Sequence, residues 1–150
     1  MQMDYPLTEE QRQIWQMEKA YPHTGIANVG GILRLDGKTD PQMLKKAIAV
    51  YVQTQSALWI KINKRDRQYF ERIFDYEPQV FDFREKSTDE TEAVIQDWIC
   101  MPFTLYDSYL FEFAILRTKE SAEVFGRFHH LITDSYALSL FAKEVEQIYE

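Results

Sequence analysis

The sequence predicts an α/β two-layer sandwich, with a mixed, mostly antiparallel sheet and helices packed on it. Apolar residues recur at helical spacing in four stretches, alternating stretches lie between them, and two pairs of alternating stretches are close enough to form hairpins. With 150 residues, 45% hydrophobic and 15% aromatic, the chain is long and apolar enough for one domain burying roughly 70% of its unfolded surface.

Thr8-Glu9-Glu10-Gln11 has the pattern of a capping box, a hydroxyl followed three residues later by glutamine, and opens a first helix. Ile14, Trp15 and Met17 supply its buried side, and Tyr21-Pro22 ends it. Val29 to Leu35 reads as a strand terminated by Asp36-Gly37, with Gly30-Gly31 predicting a close backbone approach or a bulge. Asp40-Pro41 places a capping carboxylate before a proline at the first helical position, and Leu44, Ala47, Ile48, Tyr51 and Val52 follow on one face.

Leu58 to Ile62 and Arg67 to Phe74 alternate around a turn expected at Asn63 to Asp66. Val80 to Phe83 is a candidate short strand. Ser87 to Glu92 opens a helix running through Val94, Ile95, Trp98 and Ile99 to a stop at Pro102. Tyr109 to Arg117 and Glu123 to His130 form a second hairpin around Lys119-Glu120-Ser121. Asp134 or Ser135 caps the last helix, with Leu138, Phe141, Val145 and Ile148 inward.

Acidic residues number 24 against 17 basic ones, for a net charge of -7, and no run of Lys or Arg interrupts this. Such a surface repels a phosphate backbone, which argues against a nucleic-acid partner. The single cysteine, Cys100, sits between Ile99 and Met101 and is expected to be a small buried hydrophobe. One cysteine excludes an internal disulfide and suits a reducing cytoplasm. The start of the chain shows no basic-then-apolar leader, and no apolar run approaches the ~20 residues of a membrane span. A soluble, cytoplasmic protein is expected.

The chemistry-bearing stretch is His129-His130-Leu131-Ile132-Thr133-Asp134-Ser135. Adjacent strand residues point to opposite faces, so the two histidines cannot share a metal or a substrate, and neither Cys100 nor His23 stands at a ligand spacing from them. No metal site is expected. A histidine at a strand end, four residues before an aspartate that starts a helix, suits a base working near neutral pH. Two structural histidines in an apolar hairpin fit the same residues.

His129-His130-Leu131-Ile132-Thr133-Asp134 resembles the His-His-x-x-x-Asp core of the condensation domains of non-ribosomal peptide synthetases, in which glycine normally follows where Ser135 stands. Leu7 to Trp15, with Gln11, Arg12 and Trp15, resembles that family's opening signature. Pro102-Phe103-Thr104-Leu105, followed by Leu110 and Phe111, resembles the stretch preceding its histidine hairpin. A further family signature, Arg-His-Glu-x-Leu-Arg, falls on Thr54 to Trp59, where only Leu58 matches. Together these stretches cover nearly the whole chain.

The resemblance implies a fold like half of chloramphenicol acetyltransferase, with 1–150 as the N-terminal lobe and a C-terminal lobe missing from this sequence. It implies that the amine of a carrier-bound aminoacyl group attacks a donor acyl thioester to form an amide, in a tunnel between the lobes. His130 would be catalytic, while His129 and Asp134, with Ser135 beside them, would support the site. No cofactor would be bound directly, since phosphopantetheine is borne by partner carrier domains. Trp15 to Thr24 resembles starter condensation domains of lipopeptide antibiotic synthetases, which take a fatty acyl group from coenzyme A. An inactive docking lobe and an epimerisation-domain relative are the alternatives.

Overall fold

A computed structural model of the chain describes residues 3–35, 38–75, 84–87, 91–117 and 122–150. The first helix, α1 (Glu9–Ala20), begins in the capping box foreseen for it, because the Thr8 hydroxyl accepts from the Gln11 amide and the Gln11 side chain accepts from the Thr8 amide. Helix α2 (Pro41–Thr54) starts where Asp40 accepts from the Met43 amide, and it buries all five apolar residues of its predicted face. Burying a large aliphatic or aromatic side chain contributes about 1.5–3 kcal/mol, so this face is a main source of the fold's stability. Helix α3 is Thr91–Cys100 and α4 is Ser135–Tyr149, the latter capped by Asp134, whose Oδ1 accepts from the Ala137 amide at 2.8 Å.

The strands are β1 (Asp4–Pro6), β2 (Asn28–Leu33), β3 (Ile60–Arg65), β4 (Gln68–Ile73), β5 (Arg84–Ser87), β6 (Phe111–Arg117) and β7 (Ala122–His129). They divide into two sheets where one was expected: an antiparallel β1-β4-β3 ribbon, and a larger sheet in the order β2-β7-β6-β5. All pairings are antiparallel except that of β5 with β6. Alternation along β6 and β7 separates two cores. Phe113, Ile115, Val124 and Phe128 pack with α2 and α4, whereas Ala114, Leu116 and Phe125 meet Ile95 and Trp98 of α3. Helices therefore cover both faces of the larger sheet.

Several local expectations change. The first hairpin turns at Asp66-Arg67, not at Asn63 to Asp66. Both turn residues have left-handed φ (49° and 66°), and Arg65 faces Gln68, which makes a two-residue loop matched to strand twist. Leu58 and Trp59 lie in a 3₁₀ turn (Ser56–Trp59), tied by the Trp59 indole N–H to the Val52 carbonyl. Strand β1 was not foreseen, since three residues ending in a proline carry little alternation; Pro6 is tolerated because β1 is an edge strand. Ser87 closes β5 and does not open a helix. The termination at Asp36-Gly37, the strand at Val80 to Phe83 and the turn at Lys119 to Ser121 lie outside the described residues. Cys100 is exposed, contrary to its expected burial. It is the last residue of α3, two positions past Trp98 and so about 200° around the helix from the buried side.

Candidate functional site

The histidines stand where β7 ends. His129 is the last strand residue and continues the face of Phe125 and Arg127, while His130 begins the turn that leads to α4. His129 is 0% exposed. Its Nδ1 accepts from the Leu131 amide at 3.1 Å, and its Nε2 lies 2.7 Å from Glu18 Oε1. A backbone N–H can only donate, so Nδ1 is the bare nitrogen and the proton sits on Nε2, donated to the Glu18 carboxylate. Burial pushes the His129 pKa below its ordinary value; the bonded carboxylate of Glu18 pulls it the other way, and His130 adds a smaller lowering. The neutral ring is the form these bonds require.

His130 differs in kind. Its amide donates to the Ala27 carbonyl at 2.9 Å, and the Ile132 amide closes the turn on the His129 carbonyl at 3.1 Å. Its ring is half-buried, and among the described residues no hydrogen bond holds it. The site thus joins a fixed backbone to a side chain free to meet another molecule. Asp134, assigned to support, caps α4 four residues on. The backbone of Ser135 begins that helix; its side chain lies outside the described residues.

Apart from Phe103, which lies in the Pro102 to Leu105 stretch, the sequence did not single out the groups around His129. Arg127, 5% exposed, forms an ion pair with Glu112 at 2.7 Å, donates to the Met101 carbonyl, and sets its guanidinium 4.1 Å from the centre of the Phe103 ring. Phe103 meets the His129 ring edge-on at 6.3 Å. Asn28 holds the same segment through the carbonyls of Ile99 and Met101, at 2.8 and 2.7 Å. The available signal for Glu18 was positional: it lies seven residues after Gln11 and three after the buried Trp15, on one helix face.

Trp15, Glu18, Lys19, His23, Phe103 and Tyr106 border a cavity of about 570 Å³ on the α1 side of this cluster. A smaller cleft of about 300 Å³ opens between β2, β7 and α4, with Gly30, Gly31, Gly126, Phe128, Leu138 and Phe141 in its walls. Gly30 provides the close approach that its sequence suggested: a Cβ there would stand 2.5 Å from the Gly126 carbonyl oxygen. Gly31 has no such neighbour and faces open space. Among the described residues, no three His, Cys, Asp or Glu side chains converge as a metal site would require.

The sequence pattern of the condensation domain matches residues 1–150. The chain belongs to the condensation domain family. Surfactin synthase subunit 1 of Bacillus subtilis (strain 168) is 32% identical over 97% of the chain, and a plipastatin synthase subunit from the same organism is 29% identical over 97%. The chain spans only 4% and 6% of those two proteins. The starter condensation domain of rhizomide synthetase superposes with a TM-score of 0.82 at 21% identity, over 98% of this chain and 37% of that one. The first condensation domain of the CDA synthetase gives 0.84 at 16% identity, over 98% and 40%. The fold is therefore that of a condensation-domain N-terminal portion, half of a chloramphenicol acetyltransferase-like architecture, in a family whose members are parts of large peptide synthetase subunits. No helix among the described residues is long and apolar enough to cross a membrane.

Proposed function

We propose that this lobe forms an amide between a donor acyl thioester and the amine of a carrier-bound aminoacyl group, with His130 as the base. The observation that carries the reading is the contrast at the end of β7, where a bonded and buried His129 precedes a His130 whose backbone is pinned and whose ring is unengaged. In the reaction the amine nitrogen attacks the thioester carbonyl, the C–N bond forms as the C–S bond breaks, and the thiol leaves. An α-amino group has a pKa of about 8 and is partly neutral at pH 7. His130 then has only to orient the amine and accept its proton as positive charge develops, a contribution of about 10²- to 10⁴-fold.

A second lobe would supply the opposite wall of the reaction tunnel, consistent with a match to only two fifths or less of the rhizomide and CDA synthetase domains. Tyr136 (71% exposed) and Leu140, one helical turn apart on the outer side of α4, present apolar surface of the kind a second lobe would cover. Phosphopantetheine would arrive on partner carrier domains and would not be bound by this chain as a resident cofactor. A fatty acyl donor is favoured by the likeness to the rhizomide starter domain, a mutant of which has been solved in complex with C8-CoA.

The test is His130→Ala in the full-length protein that carries this lobe, given octanoyl-CoA and an aminoacylated carrier, with the acylated product followed by mass spectrometry. A loss of at least ~10²-fold in rate with unchanged folding is expected. A variant keeping more than about a tenth of the wild-type rate would remove His130 from the chemistry.

A further inference from the structure

Two side chains of α1 that the chemistry above does not use reach the same turn from far away in sequence. Gln11 donates from Nε2 to the Leu131 carbonyl at 3.0 Å, across 120 positions, and Glu18 accepts from His129 Nε2 at 2.7 Å, across 111. We propose that α1 is the positioning element of the site, with Glu18 and Gln11 fixing, through His129 and Leu131, the turn from which His130 projects. The inference rests on the amide-forming reading for its catalytic consequence.

Gln11, Trp15 and Glu18 stand at helical spacing on one face, and Trp15 between the other two is buried. Both Nε2 hydrogens of Gln11 are used, one on Glu71 Oε2 at 2.7 Å and one on Leu131, while Oε1 accepts from the Thr8 amide at 2.9 Å. Glu71 belongs to β4, so the smaller sheet is tied into the same unit. From Glu18 the contact continues through the His129 ring to the Leu131 amide. The N–H and the C=O of Leu131 are thus both held from α1, one through an imidazole and one through a carboxamide. Leu131 is almost wholly buried, so water cannot replace either bond, and an unmade bond there leaves the turn loose. His130 is the residue directly before Leu131, and its amide is already pinned to Ala27. Its Cα–Cβ direction is consequently set on both sides, and a misplacement of about 1 Å in a reacting group can cost on the order of 10²-fold in rate.

The experiment compares Glu18→Ala, Glu18→Gln and Gln11→Ala. In the 150-residue chain, nitrogen-15 NMR of histidine should show His129 protonated on Nε2 and bare on Nδ1, with a Leu131 amide strongly protected from hydrogen exchange. Glu18→Ala should speed that exchange on the order of tenfold or more. Glu18→Gln should restore protection, because its amide oxygen accepts the same Nε2–H. Gln11→Ala should speed exchange at Ile132 and Leu131, and it serves if Glu18→Ala does not fold. In the full-length protein, Glu18→Ala should lower kcat by roughly 10- to 100-fold with KM nearly unchanged, and Glu18→Gln should recover most of it. Wild-type exchange and ring signals in both alanine variants would overturn the positioning role, as would a Glu18→Gln variant no better than Glu18→Ala. If His130→Ala kept full activity while the NMR changes appeared, the amide-forming reading would fall and the clamp would stand. The converse pattern would remove the clamp alone.

Discussion

Replacing His129 with alanine removes three things at once: the donor to Glu18, the acceptor for the Leu131 amide, and a ring packed against Phe103. The Glu18 side chain is only 10% exposed and Leu131 is buried, so both lost bonds strand groups that water reaches poorly. A stranded donor or acceptor costs about 1–3 kcal/mol, and losing a hydrogen bond to a charged carboxylate about 1.5–3 kcal/mol. The variant should therefore lose about 3–5 kcal/mol of a total that for domains of this kind is about 5–15 kcal/mol. With an unfolding entropy near 0.3 kcal/mol/K for this length, the melting temperature should fall by roughly 10–15 °C. Urea unfolding followed by tryptophan fluorescence and by far-ultraviolet circular dichroism measures the loss. The pH arm has a definite sign. The unfolded ring takes its proton near pH 6.5, whereas burial holds the folded ring below that value. Between those two points the unfolded state binds more protons, so stability is complete above about pH 6.5 and declines as the pH falls through the folded pKa. His129→Gln keeps a donor for Glu18 and cannot titrate, so its stability should change less over that window. An alanine variant within about 1 kcal/mol of wild type, or a His129→Gln profile as steep as the wild type's, would refute this account of the buried ring.

Asp134→Ala removes the α4 cap and should cost about 1 kcal/mol, or about 3 °C in melting temperature; an unchanged midpoint would show that another group caps the helix. Gly30→Ala would drive a Cβ against the Gly126 carbonyl and should cost about 1–3 kcal/mol, whereas Gly31→Ala, facing open space, should be nearly neutral, so equal melting curves for the two would contradict the strand packing. Cys100, being exposed, should react with a thiol reagent in the native protein without denaturant. Protection until denaturant is added would return it to the core.

The parts of this fold legible in the sequence are those written in local chemistry. The capping box at Thr8, the Asp40-Pro41 start and the five-residue buried face of α2 appear where their residue types demand, because each is decided within one or two helical turns. The partition into two sheets was not legible, since alternation tells which face a residue takes but not which strand lies beside it. The Asp66-Arg67 turn was misplaced because an arginine at left-handed φ has no compositional signal. Cys100 was misjudged for a related reason: its apolar neighbours in sequence do not share its side of α3. For the site, the two histidines were visible and their partners were not. Glu18, Arg127 and Glu112 read as ordinary charges until the strand end brings His129 to Glu18 and Arg127 to Glu112.

The three stretches that carry the family resemblance lie far apart in sequence, yet they meet at the end of β7. Gln11 of the first reaches Leu131 and Phe103 of the second lies against the His129 ring, while Glu18 and Arg127, just outside these stretches, bond that ring and pack on that phenylalanine. This convergence explains how two adjacent histidines come to different ends. A strand that stops at His129 delivers that ring into the face shared with Phe125 and Arg127, where burial and the Leu131 amide leave it one tautomer and no freedom. The next residue leaves the ladder, and its backbone is held by Ala27 and by the turn closing on His129. Only the second ring can therefore move toward a substrate without breaking a bond of the fold. The base role proposed for His130 would call for such freedom in the ring and rigidity in its anchor, and the first histidine supplies part of that anchor.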